Sequence, residues 1–110
     1  MTSPADRRAT PRFQAKAGSQ ITYGASAAEV RDLSLEGVFV ADPDPLPVGS
    51  ELAFTLRAGG QDITLDGIVR HVEIGVGMGI QFVDVSPVSK RRLRIYIAGL
   101  VPAPTEYVKS

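Results

Sequence analysis

Two runs of alternating apolar and polar residues, separated by a pair of glycines, constrain the fold of this chain more than any other feature. In residues 51–57 every second residue is apolar, which is the pattern of a strand with one buried face. Residues 62–72 repeat the pattern, and their apolar face reaches His71 if the alternation continues. Gly59-Gly60 supplies the positive φ angles of a tight turn between them. The sequence therefore predicts a long β-hairpin, and Gly67 within its second strand predicts a bulge or bend.

Shorter segments with strand composition surround this hairpin. They are residues 19–23, 29–33, 37–41 and 79–83. Residues 42–47 contain three prolines, which remove backbone donors and fix φ, so this segment is predicted to be a stiff loop. Several short strands separated by Gly and Pro turns favour a β-barrel or a β-sandwich.

A helix is predicted after the last strand. Ser86 is suited to cap its first turn and Pro87 to occupy its first position. Apolar residues then recur at helical spacing, and Gly99 and Pro102 mark the end of the helix. The Pro-rich residues 101–110 are predicted to form a loose tail.

Composition excludes several classes of protein. The 110 residues suit one domain, and no apolar run approaches the roughly 20 residues of a membrane helix. The polar amino terminus lacks the apolar core of a secretory signal. The chain has no Cys and one His, which excludes disulfides and thiolate chemistry and leaves little for a histidine metal site. We expect a cytoplasmic protein that does not associate with membranes.

The net charge of zero conceals basic ends and an acidic middle. Residues 1–24 have four basic side chains and one acid (+3), and residues 86–110 have five and one (+4). Residues 25–85 have three basic side chains and ten acids (−7). A long nucleic acid needs a broad basic face, so it is not expected to bind. A small anion needs only a few arginines, so this class of ligand remains open.

Two short motifs bear on function. The first is Arg8-Ala-Thr-Pro-Arg12, preceded by Arg7, and the second is Asp32-x-Ser34-x-x-Gly37. Each motif alone is common, and the second is also typical of a turn before a strand.

In this order the two motifs resemble those of the PilZ domain family, the bacterial receptors for cyclic di-GMP. Residues 67–70, 77–82 and the helix after Ser86 are also similar to segments of that family, so the resemblance covers about residues 7–100. It implies an all-β fold, a six-stranded antiparallel barrel with a C-terminal α-helix. Residues 1–12 would then be a flexible basic arm, residues 13–100 the barrel and helix, and residues 101–110 the loose tail.

The resemblance also implies a binding site for cyclic di-GMP on the outside of the barrel. The implied ligand-binding residues are Arg7, Arg8, Arg12, Asp32, Ser34, Gly37 and Arg70. An arginine guanidinium can donate two parallel hydrogen bonds to phosphate oxygens or to the O6/N7 edge of guanine. A carboxylate can accept hydrogen bonds from guanine N–H groups. In the family, a long residue at the position of Arg7 accompanies a stacked pair of ligands, although Arg7 is equally compatible with a solvated arm residue. Arg70 matches a stacking position, but an exposed strand arginine explains it as well.

Three functions are compatible with these observations. The leading hypothesis is a cyclic di-GMP effector that orders its arginine arm on binding and signals to a partner protein, without enzymatic activity, cofactor or metal. The alternative is a PilZ-like adaptor that acts through protein contacts and does not bind the nucleotide. A barrel that binds single-stranded nucleic acid is disfavoured by the acidic middle and the few aromatic residues.

Overall fold

The computed structural model describes residues 11–102, which form an antiparallel β-barrel with one helix packed against it. The elements of this part of the chain are β1 (Phe13–Gln14), β2 (Gln20–Tyr23), β3 (Ser26–Leu33), β4 (Gly37–Ala41), β5 (Glu51–Ala58), β6 (Gln61–Glu73), β7 (Gly77–Val83), α1 (Pro87–Ala98) and β8 (Val101–Pro102). In the described residues no helix is long and apolar enough to cross a bilayer.

Six strands close the barrel in the order β2-β5-β6-β7-β4-β3, and β3 pairs back to β2. All of these pairings are antiparallel, as predicted. Two further strands of two residues each were not predicted: β1 pairs with the last two residues of β3, and β8 pairs with β1. The tail was expected to be loose from residue 101, whereas Val101–Pro102 pair with β1. Residues 1–10 and 103–110 lie outside the described residues.

The alternating apolar residues form the core inside the barrel. Phe54 and Leu56 of β5 are buried, as the alternation predicted, and the ring of Phe54 lies 6.1 Å from that of Phe82. Leu93 and Ile97 of α1 join the same core. At roughly 25 cal/mol per Å² of apolar area removed from water, this burial is the main term that stabilises the fold.

The helix is fixed at both ends by the residues that predicted it. The Ser86 hydroxyl accepts a hydrogen bond from the backbone N–H of Ser89 at 3.1 Å, and Gly99 ends the last turn. Tyr96 then joins α1 to the chain before β2, because its hydroxyl lies 2.7 Å from the Ser19 hydroxyl. The helix thus packs near the β5–β6 turn, where Gly59 approaches the Tyr96 ring.

The predicted bulge of β6 lies three residues later than expected. Gly67 pairs in regular register with Leu52 and Phe82, while the register shifts between Val69 and His71 and makes Arg70 the extra residue. A bulge resets the alternation of side chains. His71 therefore points outward with 62% of its side chain exposed, and its predicted place on the buried face is wrong.

A tyrosine near the barrel rim has a strongly shifted pKa. Burial raises the pKa of Tyr23 to about 12, and its hydroxyl donates a hydrogen bond to the carboxylate of Asp42. Folding thus favours the neutral phenol, so this contribution to stability is fully present below pH ~10 and is lost as the pH rises through about 12.

Gly67 is required by space rather than by backbone conformation. A Cβ atom there would lie 2.4 Å from Cγ2 of Ile80 and 2.9 Å from the carbonyl oxygen of Gln81. We predict that Gly67→Ala lowers the free energy of unfolding by about 1–3 kcal/mol, the usual cost of overpacking. Urea denaturation measures this loss. The control is Gly79→Ala, whose Cβ would meet nothing closer than 3.5 Å. Equal losses in the two variants would contradict the steric explanation.

Candidate functional site

A groove of about 680 Å³ on the outer face of the barrel brings together the two sequence motifs. It crosses the chain before β1 and the strands β3, β4, β7 and β6, which are neighbours in the sheet. Five of the seven predicted site residues line it: Arg12, Asp32, Ser34, Gly37 and Arg70. Arg7 and Arg8 lie outside the described residues.

Strand register explains how residues distant in sequence meet in this groove. Asp32 pairs with Phe39 across β3 and β4, Phe39 pairs with Gly79, and Gly79 pairs with His71. These four residues form one row across the outer face of the barrel. The flanking residues Val38 and Val40 are buried, so the row lies on the opposite side of the sheet from the core.

An ion pair between Arg12 and Asp32 occupies one end of the groove. Arg12 Nε donates a hydrogen bond to Asp32 Oδ1 at 2.8 Å, and Nη2 of the same guanidinium contacts that oxygen. Nη2 also donates to the backbone carbonyl of Asp32 at 3.4 Å. A register shift between Val30 and Asp32 turns the carboxylate outward, while Leu33 remains buried. The pair joins the first motif to the second, and about a third of each side chain is exposed.

Ser34 and Gly37 shape the turn between β3 and β4. The Ser34 hydroxyl accepts a hydrogen bond from the backbone N–H of Glu36 at 3.1 Å, and Ser34 itself is buried. A Cβ atom on Gly37 would lie 2.6 Å from the carbonyl oxygen of Ile80, so only glycine allows this approach of β4 to β7. Both residues therefore hold the floor of the groove in place and present little side chain to it.

Arg70 stands at the opposite side of the groove from Arg12, on the bulge of β6. Its Nε donates a hydrogen bond to Oε1 of Gln81 at 2.7 Å. Gln81 is exposed and was not predicted as a site residue. The alternation of β7, with Ile80 and Phe82 buried on either side, is the signal that places Gln81 on the outer face.

Phe39 is a second groove residue that the sequence analysis missed. Its ring leans over β7, because Cε2 and Cζ would lie 3.1 Å from a Cβ atom on Gly77, and Cδ1 3.8 Å from one on Gly79. Neither glycine has a positive φ, so they leave space for this ring instead of allowing an unusual backbone. The result is a half-buried aromatic surface in the middle of the groove.

The described part of the groove has no excess of positive charge. Its two arginines are accompanied by three carboxylates, those of Asp32, Glu36 and Glu73. Glu73 also lies 3.1 Å from Nε2 of His71, at the rim. In the described residues no group of three metal-ligating side chains is present. The groove thus has guanidinium donors at two sides, carboxylate acceptors and an aromatic ring. These groups suit the binding of a planar ligand with anionic groups.

Comparison with known proteins identifies a family. A model of the PilZ domain matches residues 6–99 of the chain. A search of curated proteins finds no match.

Solved structures share the fold. The PilZ domain with c-di-GMP of YcgR from Escherichia coli superposes with a TM-score of 0.69 at 24% identity, covering 86% of this chain and 91% of that one. The Bacillus subtilis inhibitor of motility MotI/DgrA gives a TM-score of 0.67 at 19% identity, covering 84% of this chain and 49% of that one. The PilZ domain of CeSA from a cellulose-synthesizing bacterium gives 0.53 at 18% identity, with 83% and 92% covered.

The partial exposure of the Arg12–Asp32 pair, about a third of each side chain, predicts a modest contribution to stability. We expect Asp32→Asn to lower the free energy of unfolding by about 0.2–1 kcal/mol, because water already screens the two charges. Urea denaturation at low and high salt measures the loss, which should shrink as salt screens the pair. A loss of several kcal/mol at both salt concentrations would show instead that Asp32 is needed to build the turn.

Proposed function

Because the chain belongs to the PilZ domain family, we propose that it is a cytoplasmic receptor for cyclic di-GMP that signals to a partner protein. PilZ domains are regulatory receptors, not enzymes. One observation carries this proposal: the defining residues of both motifs in the described part of the chain line the same groove, namely Arg12, Asp32, Ser34 and Gly37. The ligand would lie across the row that Asp32, Phe39, Gly79 and His71 form on the outer barrel face.

Each part of the groove matches a part of the ligand. Cyclic di-GMP has two phosphates and two guanines, and guanidinium forks at Arg12 and Arg70 suit phosphate oxygens or the O6/N7 edge of guanine. Asp32 accepts from guanine N–H groups. In the free protein this carboxylate holds Arg12, so the ligand replaces or shares an existing ion pair.

The arginine arm supplies the charge that the groove lacks. With two arginines against three carboxylates, the described groove does not attract a dianion by itself. Arg7 and Arg8 lie five and four residues before Arg12 in the sequence and add two cations. We therefore assign to these two residues much of the attraction for the phosphates, with the arm becoming ordered over the ligand when it binds.

The charge balance of the groove also favours a second candidate. A PilZ-like adaptor that does not bind the nucleotide has no need for a basic groove, and it would use the same barrel for protein contacts. Titration of the purified protein with cyclic di-GMP, with GTP as the control ligand, separates the two functions. Saturable binding of cyclic di-GMP alone supports the receptor, and no binding of either ligand supports the adaptor.

Arg12 is expected to be needed for affinity but not for folding. Hydrogen bonds to charged groups contribute roughly 1.5–3 kcal/mol, so Arg12→Ala should weaken cyclic di-GMP binding about tenfold or more. Isothermal titration calorimetry measures the affinity, and Arg8→Ala should behave in the same way. The control is Arg57→Ala, since Arg57 is an exposed arginine paired with Asp62 outside the groove. Unchanged affinity of the Arg12 variant would exclude its assignment as a ligand-binding residue.

Phe39 is expected to stack against a guanine base. Stacking on an aromatic side chain contributes roughly 1–3 kcal/mol per base, so Phe39→Ala should weaken binding about fivefold or more. Phe39→Tyr keeps the ring and should bind within about twofold of the unaltered protein. The control is Ile74→Ala, which removes an exposed apolar side chain that does not line the groove. If the Tyr and Ala variants lose affinity equally, the ring does not act by stacking.

The number of ligands bound is expected to depend on Arg7. A stacked pair of ligands carries four phosphate charges against two for a single ligand, so it requires more cations. We predict two ligands per chain, and about one per chain in Arg7→Leu, with weaker salt dependence because one charge contact is lost. Calorimetric stoichiometry measures both numbers. A value of one for the unaltered protein would exclude the stacked pair without affecting the receptor function.

A further inference from the structure

A second pocket, of about 330 Å³ and mainly apolar, lies between α1, β1 and the β3–β4 turn. Its walls include Pro11, Phe13, Leu35, Ile97 and Leu100, together with Arg94 of α1. Leu35 is an exposed large apolar residue of the described chain, with 40% of its surface accessible. This opening has the size and lining to receive an apolar side chain from another molecule.

The pocket shares two walls with the groove. Where the chain enters β1, Arg12 lines the groove while its neighbours Pro11 and Phe13 line the pocket. In the β3–β4 turn, Ser34 and Glu36 line the groove while Leu35 between them lines the pocket. A shift of either segment therefore changes both cavities together.

The Arg12–Asp32 pair connects these two walls. Arg12 belongs to the first segment, and Asp32 leads into the second. If a groove ligand takes over the Arg12 guanidinium, the segment that contains Pro11 and Phe13 loses its link to Asp32. Because β1 has only two residues, few backbone hydrogen bonds resist such a movement.

The basic residues of α1 indicate which kind of partner segment the pocket binds. Arg94 lines it, and Lys90 and Arg91 precede Arg94 by about one helical turn, so these three basic residues share one side of α1. An apolar side chain that stands next to Asp or Glu would place its carboxylate beside these cations.

We infer that this pocket docks a partner protein through an apolar side chain flanked by acidic residues. The ligand in the neighbouring groove changes the affinity of this docking. The inferred docking depends only on the pocket, whereas the coupling between docking and the groove ligand rests on the proposed function. If the coupling exists, the docked segment and cyclic di-GMP alter each other's affinity by the same factor, and typical couplings are about 5–150-fold.

Selection of a phage-displayed library of random dodecapeptides on the full chain tests the docking. We expect the selected peptides to share an aromatic or aliphatic residue next to Asp or Glu. Their binding should fall at least tenfold in Leu35→Asp and in Arg94→Glu. Arg92→Glu is the matched control, because it reverses a charge on the same helix outside the pocket lining, where the Arg92 guanidinium donates a hydrogen bond to the backbone carbonyl of Asp62. Melting temperatures confirm that the variants are folded. Selected peptides without acidic residues, or peptides that bind both arginine variants equally, would overturn the inference.

Other occupants give distinct results that also overturn it. A dimer in sedimentation that Leu35→Asp dissociates would make a second copy the occupant. Peptide affinity that rises in a Glu106→Ala and Tyr107→Ala double variant would make the chain's own residues 103–110 the occupant.

The coupling is measured with one selected peptide in the presence and absence of saturating cyclic di-GMP. A change of fivefold or more in its dissociation constant supports it, and an unchanged constant overturns it. If the protein binds no cyclic di-GMP, the proposed function fails at that step, while the peptide selection still decides whether the pocket docks a partner.

Discussion

The close approach of β4 to β7 determines the geometry of the site. Gly37 allows this approach, because any side chain at that position would collide with the carbonyl of Ile80. With β4 seated between β3 and β7, the pairings Asp32 with Phe39 and Phe39 with Gly79 follow from the register. The outer row of the groove is thus a consequence of backbone packing. Gly37, the glycine of the second motif, contributes to the site by allowing that packing.

Much of the architecture was predictable because it depends on local patterns. The strand Gly37–Ala41 has the bounds that its apolar residues predicted, and Gly59-Gly60 both have positive φ in the hairpin turn. The cap at Ser86 has the expected hydrogen bond. The position of the β6 bulge was not predictable, because β-bulges depend on how two strands fit side by side. Because the bulge was expected at the wrong residue, His71 was assigned to the buried face instead of the outer face.

The site was predicted only in part, because the motifs are local in sequence whereas the contacts between them depend on strand pairing. The motifs named residues that do share a groove, but they did not reveal that Asp32 holds Arg12 or that Ser34 accepts from Glu36 within the turn. Phe39 was missed because residues 38–41 are all apolar, so no alternation in the sequence marks an outer face of this strand. Only the sheet register shows that its ring lies outside, over Gly77 and Gly79. Arg7 and Arg8 remain assigned from sequence, and the charge balance of the groove gives them their proposed role.

The central claim is that the outer row of the barrel, with the Arg12–Asp32 pair at one end, is the surface that binds the nucleotide. Amide chemical shifts of the 15N-labelled protein, followed during titration with cyclic di-GMP, test it most directly. We predict saturable shifts concentrated at Asp32–Gly37, Phe39, Arg70 and Gly79–Gln81, with the amides of the β5–β6 turn around Gly59 unchanged. Shifts centred on that turn, or no shifts at saturating ligand, would contradict it.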